Sequence, residues 1–370
     1  MELLLSDEQR LLKESAAKFL DRIGGRKHAR AWRGKDGGFD RQCLREIGEL
    51  GWLGMMVPVE LGGLGCGPYE LALVLEQAGR ALAPEPIGAA TLTAAAIAES
   101  ESDMVRGALL MPATTGEAPI MPALQETAWD TDVTSPATTV DAQATRISGG
   151  KDFVPAAVGA AGFLVNARNA DGLWLCHVAR DAPGLDIRLV PTVDGRPYGR
   201  LVLDNTPVAH VIAGPNRAAA IIERLYDLSL VALAAELLGV MAAANDMTLD
   251  YLRTRQQFGR AIGSFQALQH RAVDNYILIE STRSLLYQVC ERGHALSSSL
   301  AAALKACASG AALTVTKSVI QLHGAIGFTE EYDAGLYLKR AMYLSAQLGN
   351  EAVQRGRFER LTGADMQDGL

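Results

Sequence analysis

Residues 217–255 constrain the fold more than any other part of this chain. They read as one long helix that is apolar on several faces rather than along a single stripe. Such a helix is not stable on a surface, so it must lie inside a bundle or in an interface between subunits. Two more long helices are expected after it, over residues 266–294 and 297–323. The C-terminal part, residues 215–370, therefore reads as a four-helix-type bundle.

The chain begins with helices as well. Ser6 can cap a helix that continues D-E-Q-R-L-L-K-E, with acids in its first turn where the helix dipole favours them. Leu11, Leu12, Ala16 and Leu20 then recur at helical spacing. Further helices are expected over residues 41–50 and 69–82, and the glycine- and proline-rich residues 51–65 cannot be a helix interior. From about residue 120 to residue 212 the texture changes. Short β-prone runs at 162–167, 173–179 and 200–204 alternate with turn residues, which predicts a small antiparallel β domain. The fold class is thus α+β, with a helical domain at 1–118, a β domain at 119–214 and a bundle at 215–370. There is no internal repeat, and residues 366–370 read as a frayed tail.

Composition excludes several function classes. A net charge of −7 argues against broad nucleic-acid affinity, which needs a cationic face. No uninterrupted apolar run reaches the ~18–20 residues of a membrane span, so no membrane association is expected. The first residues lack a basic n-region, so no signal peptide is expected. The five cysteines are scattered, odd in number and without a C-x-x-C pair. That fits a reduced, cytoplasmic protein without structural zinc. No His/Cys/Asp grouping has metal spacing, so no metal ligand is expected, and no G-x-S-x-G occurs.

Two short segments carry chemistry. R-Q-Q-F-G-R-A-I-G-S-F-Q occupies residues 255–266, and Q-L-H-G-A-I-G-F occupies 321–328. A guanidinium binds phosphate oxygens with two donors, and glycine admits close backbone approach. Each segment also has a plain alternative: an interhelical turn with a solvated arginine, or a glycine C-cap between two helices. Taken together, and with the order of helices, β domain and bundle, they resemble the acyl-CoA dehydrogenase family over essentially the whole chain. That resemblance implies a cofactor, FAD, and a substrate, an acyl-CoA thioester. It implies that Arg255 grips the flavin pyrophosphate, that Gln257 and Phe258 contact the cofactor, and that Gln266 reaches its polar groups. It assigns Gln321, Gly324 and Ala325 to the adenosine diphosphate part of a flavin held mainly by a neighbouring subunit. Ala325 stands where the family more often has a second glycine.

The family's other signatures are altered. Its T-E-P-x-x-G-S-D-like segment has no match in P-A-L-Q-E-T-A-W-D-T-D at residues 122–132, and K-D-F-V-P-A-A at 151–157 matches only loosely. Its Y-E-G-T-x-Q segment, which holds the catalytic glutamate, aligns with residues 347–352 and puts Leu348 at the base position. Leucine cannot accept the proton alpha to a thioester carbonyl. Some members place the glutamate on the preceding long helix instead, and there the chain has Ser229. Glu236 lies seven residues further, about 10 Å along the same helix, and is the candidate displaced base. Glu351 is a second acid near the lost position. His323 could touch cofactor or cap a helix, and His177 falls on a β run.

Three readings follow. The first is the smaller subunit of a heteromeric acyl-CoA dehydrogenase, as in bacterial degradation of steroids and other bulky substrates. It would form a heterotetramer with a homologous subunit, complete that partner's FAD site in trans and pass electrons to an external acceptor. The second is a self-sufficient homomer using Glu236. The third is a binding or scaffold protein of the same fold.

Overall fold

The computed structural model describes residues 5–35, 38–128 and 132–367. Six helices open it: α1 (Asp7–Arg22), α2 (Arg26–Trp32), α3 (Arg41–Glu49), α4 (Pro68–Ala81), α5 (Ile87–Ala98) and α6 (Asp103–Thr114). Ser6 caps α1 by accepting from the Gln9 amide, and the Gln9 side chain returns the bond to the Ser6 amide. Residues 51–65 hold only two short 3-10 turns, as their glycines and proline require.

Eight strands follow: β1 (Ile120–Ala123), β2 (Thr139–Val140), β3 (Arg146–Val154), β4 (Gly162–Asn169), β5 (Gly172–Ala179), β6 (Leu185–Val190), β7 (Tyr198–Pro207) and β8 (His210–Ala213). They form one sheet in the order β6-β7-β3-β2-β4-β5-β8, with β1 on β4. The sheet is not wholly antiparallel: β1 and β2 both run parallel to β4. β1 enters straight from the helical domain and reaches β4 only after a long excursion, and a crossover of that length permits parallel pairing where a hairpin would not. Part of the altered segment at 122–132, namely 129–131, lies outside the described residues.

The C-terminal region contains α7 (Ala218–Thr254), β9 (Gln256–Gln257), β10 (Arg260–Ala261), α8 (Gln266–Cys290), α9 (Ser298–His323), α10 (Ala334–Ala346) and α11 (Glu351–Gln367). The expected frayed tail begins inside α11, which continues through Gln367, and 368–370 lie outside the described residues. By length and composition α7 and the stretch Ser298–Phe328 could each cross a membrane, which corrects the expectation drawn from uninterrupted apolar runs. Isolated acids such as Asp227 and Glu236 break such a run without lowering the mean hydropathy much. In this fold the most apolar window of α7 is 89% buried, as the core helix of the bundle.

α7 packs against α4, α8, α9 and α10, and glycines set its approach to α4. A Cβ on Gly239 would lie 1.9 Å from the Glu76 carbonyl oxygen, and one on Gly79 would lie 2.1 Å from the Glu236 carbonyl oxygen. Neither position tolerates a side chain, so the two backbones touch. This contact presses the middle of α7 onto the N-terminal domain and fixes one wall of a cleft between the three regions.

Candidate functional site

The two segments singled out in the sequence meet at one end of the bundle. Tyr251 near the end of α7 and His323 at the end of α9 have ring centroids 4.6 Å apart, and Tyr332 packs on His323 at 4.9 Å. His323 is buried, with Nδ1 2.8 Å from the Val319 carbonyl oxygen one turn back on α9, and its ring packs between Tyr251 and Tyr332. Beyond this aromatic joint the candidate contact residues face outward. Arg255, Gln257, Phe258, Gln266, Gln321, Gly324 and Ala325 are all exposed. Among the described residues the Arg255 guanidinium has no acidic partner.

Phe258 and Gly259 form the tip of the β9–β10 hairpin, in which Gln257 pairs with Arg260. Both tip residues have positive φ, 54° and 78°. A two-residue turn of this kind favours Asn-Gly or Gly-Gly, because an L side chain pays roughly 1–2 kcal/mol in the left-handed region. Here the strained position holds a phenylalanine that is 89% exposed. It gains nothing from burial within its own chain. Arg260 lies over the Phe265 ring at 4.3 Å, and Phe258 meets Phe265 edge-on at 6.0 Å. The surface is therefore preformed, aromatic and cationic. α8 adds Val273, Tyr276 and Ile277, exposed at helical i, i+3, i+4 spacing, and the second segment adds Ile326 and Phe328 at 42% and 80% exposure. Exposed large apolar side chains in this number mark a contact surface.

The cleft lies far from this end. Glu236 and Arg255 are nineteen residues apart on α7, or about 28 Å. The cleft encloses about 1190 Å³, open solvent included, and its lining brings together Gln125, Phe153, Arg196, Ser229, Glu236, Arg340 and Leu348. Leu348 thus does stand in the wall where the alignment put the base. Its φ is 54°, and its carbonyl oxygen accepts from Tyr226 Oη at 3.0 Å and Gln354 Nε2 at 2.5 Å. Ser229 spends its hydroxyl on the Leu225 carbonyl at 2.6 Å.

Among the described residues three carboxylates line the cleft, and each has a basic partner. Asp152 accepts from Arg200 at 2.7 Å, Glu85 faces His28 at 2.8 Å, and Glu236 Oε1 accepts from Arg340 Nε at 2.8 Å and Nη2 at 2.6 Å. Arg340 also donates to Asp194 at 2.9 Å. Burial works against the Arg340 charge, but Glu236 and Asp194 outweigh it and raise its pKa; Asp194 is held below the usual carboxylate range because Arg340 and Arg196 outweigh its own burial. Arg196 is pushed down to about 10 by burial and by Arg340. Its guanidinium donates to the Ala83 carbonyl at 2.8 Å and to that of Leu82. Glu351 lies outside the cleft and pairs with Arg355 at 2.6 Å.

The flavin test divides accordingly. At the exposed end the donor set fits a dinucleotide: an unpaired guanidinium, amides, an exposed aromatic ring, and Gly324 at φ 66° with open space around its Cα. In the cleft it does not fit. Both arginines are committed to acids or carbonyls, and Phe153, at φ 55°, packs against Tyr198 with ring centroids 4.9 Å apart and planes tilted by 31°. The altered segment after β1 is tied down by Glu126, which accepts from Lys151 Nζ at 2.6 Å and from the Thr138 hydroxyl at 2.6 Å. Sequence reasoning missed Arg340, Asp194 and Arg196. They bear no motif, and Arg340 meets Glu236 across 104 residues of chain. His177 is buried on β5, stacks on His210, and is pushed down to about 4 by burial and that neighbour.

Two family models match the chain: "Acyl-CoA dehydrogenase, N-terminal domain" over residues 6–117 and "Acyl-CoA dehydrogenase, C-terminal domain" over residues 220–361. Acyl-CoA dehydrogenase IpdE2 of Mycobacterium tuberculosis is 32% identical over 343 residues, 92% of this chain and 93% of that protein. IpdE2 of Mycolicibacterium smegmatis is 28% identical over 361 residues, 96% and 99% of the two chains. Among solved structures, a chain of the Tcur3481-Tcur3483 steroid ACAD G363A variant superposes with a TM-score of 0.89 at 33% identity, covering 98% of this chain and 99% of that one. A chain of the ChsE4-ChsE5 complex from Mycobacterium tuberculosis superposes with a TM-score of 0.90 at 26% identity, with the same coverage.

Proposed function

The chain belongs to the acyl-CoA dehydrogenase family, and on that footing we propose that it is the flavin-completing subunit of a heteromeric dehydrogenase. FAD is the cofactor of the family, and when bound it takes the hydride from the beta carbon of the acyl thioester. In the proposed assembly a homologous partner holds most of that FAD and supplies the catalytic glutamate. This chain binds and orients. Arg255 neutralises the pyrophosphate, Phe258 covers the cofactor, and Gln257, Gln266 and Gln321 meet its polar groups. Gly324 lets the backbone lie close to the adenosine half, and Ala325 adds one methyl group beside it.

One observation carries this: all seven residues of the set are exposed at one end of the bundle, while among the described residues each acid lining the chain's own cleft has a basic partner. The names of the relatives support the substrate class and the assembly. One solved relative is a two-protein steroid ACAD and another a two-protein complex. We extend this to a bulky acyl-CoA, such as one with a steroid side chain, and to a heterotetramer in the cytoplasm that passes electrons to an external acceptor. The homomeric alternative with Glu236 as base has less support, because Arg340 holds its Oε1 with two donors.

Arg255→Ala tests the proposal. Loss of a charge-assisted phosphate contact costs about 1.5–3 kcal/mol, so flavin should bind the mixed complex roughly 10–100-fold more weakly. The chain's own melting temperature should not move, because Arg255 is exposed and unpaired. Undiminished flavin affinity in the variant would remove Arg255 from the site.

A further inference from the structure

The N-terminal domain gathers three different metal-ligating side chains that the chemistry above does not use. His28 comes from α2, Cys43 from α3, and Glu85 from the A-P-E-P segment between α4 and α5. One ligand atom from each lies within 4.8 Å of the others. The site is enclosed: the His28 side chain is 10% exposed, that of Glu85 0%, and Cys43 is 4% exposed. His28 Nε2 lies 2.8 Å from Glu85 Oε1, which also accepts from the Asp40 amide at 3.4 Å. Glu85 Oε2 is buried and makes no hydrogen bond. An idle carboxylate oxygen in the interior is costly, and among the described residues the Cys43 thiol is the neighbour that bears on Glu85.

We propose that His28, Cys43 and Glu85 form a binding site for a divalent transition-metal cation of the zinc class. The donor set decides the class. Imidazole, thiolate and carboxylate together suit zinc, whereas calcium and magnesium take oxygen alone. Three protein ligands leave a fourth position for water. The charges also balance, because a neutral imidazole, a thiolate and a carboxylate cancel a doubly charged cation and make a neutral unit that can be buried. Zinc–ligand distances of about 2.0–2.3 Å set tetrahedral ligand atoms about 3.3–3.7 Å apart, so a pair at the 4.8 Å limit must close by about 1 Å and the 2.8 Å His28–Glu85 contact must open. His28 would turn from the Glu85 oxygen to the metal.

The surroundings bear on the site from two sides. The Asp40 charge favours a cation, while the Arg196 guanidinium opposes one, although it is already committed to the Ala83 and Leu82 carbonyls. Burial, followed by Glu85 and Asp40, pushes the Cys43 thiol up, so it is a poor nucleophile when no cation is near. A cation between the two groups reverses that effect, and binding releases the thiol proton. Because Glu85 also lines the cleft, a bound ion would tie α2 and α3 to the cleft rim.

The test uses the full chain. It is equilibrated with zinc, passed into zinc-free buffer and assayed by elemental mass spectrometry, beside Cys43→Ala and Glu85→Gln. The proposal expects the wild type to keep about one zinc per chain more than either variant. It also expects zinc to raise the wild-type melting temperature and not those of the variants. Cobalt(II) should give a thiolate charge-transfer band that Cys43→Ala lacks. Equal zinc in all three proteins would assign any bound metal to the more accessible Cys66 and Cys307 and overturn the proposal. If Cys43→Ala fails to fold, the near-isosteric Glu85→Gln decides alone.

Discussion

Glu236→Gln separates an ion pair from a catalytic base. Glu236 Oε1 accepts two guanidinium donors of Arg340, at 2.8 and 2.6 Å, with 15% and 11% of the two side chains exposed. The amide keeps an acceptor oxygen and the shape but loses the charge. Hydrogen bonds to charged groups contribute about 1.5–3 kcal/mol net, and the amide retains part of that. Arg340 also keeps Asp194 at 2.9 Å, so the guanidinium is not left unpaired in the interior. The expected cost is therefore about 1–2 kcal/mol, read as a fall of a few degrees in melting temperature. Activity is measured on the mixed complex with an acyl-CoA that the wild type oxidises and a dye as electron acceptor. If the partner supplies the base, kcat stays within about twofold of wild type. A base contributes about 10²–10⁴-fold. A loss of kcat on that scale, with flavin content and melting temperature near wild type, would refute the ion-pair account and make Glu236 the base.

Phe258→Gly should raise the stability of the chain by up to about 1 kcal/mol, because glycine relieves the positive φ of the hairpin tip. The same variant should weaken flavin binding in the mixed complex, and denaturant unfolding beside flavin titration checks both. Lys305 is completely buried, donates to Ser309, Ser345 and Gly349 oxygens with no acidic partner among the described residues, and is pushed down to about 7 by burial from its ordinary 10.5. Between those values the unfolded chain holds the proton and the folded chain does not. Lys305 therefore penalises folding fully below pH 7, and the penalty lifts as pH rises, by up to about 1.4 kcal/mol per pH unit. Lys305→Met should remove that contribution, so stability should rise less between about pH 7 and about pH 9 than in wild type, by about 2 kcal/mol. An unchanged pH slope in urea unfolding would show that Lys305 stays charged in the fold.

The fold and the contact surface were legible in the sequence to different depths. α7 announced itself because apolar residues on several faces leave a helix no place but a bundle interior or a subunit interface. The segments at 255–266 and 321–328 stood out because glycine, aromatic and arginine side chains at close spacing have few structural uses together. Leu348, aligned with the family's base, stands in the cleft wall. The parallel pairing of β1 and β2 with β4 could not be read, since strands of four and two residues carry no directional signal. The partner of Glu236 could not be read either, because Arg340 meets it only through the packing of α10 on α7. The same holds for His28, Cys43 and Glu85, whose separations along the chain match no metal motif. The glycines that let α4 and α7 touch are single residues inside helical patterns, where sequence alone gives them a cost and no purpose.

The central claim is that this chain completes a flavin site it cannot build alone. The most direct measurement is the visible spectrum and flavin stoichiometry of the chain purified alone and after co-expression with a homologous subunit, with masses from light scattering. The account predicts a colourless chain alone and a yellow mixed assembly with flavin at about one per pair of chains. A yellow homotetramer with flavin near one per chain would contradict it.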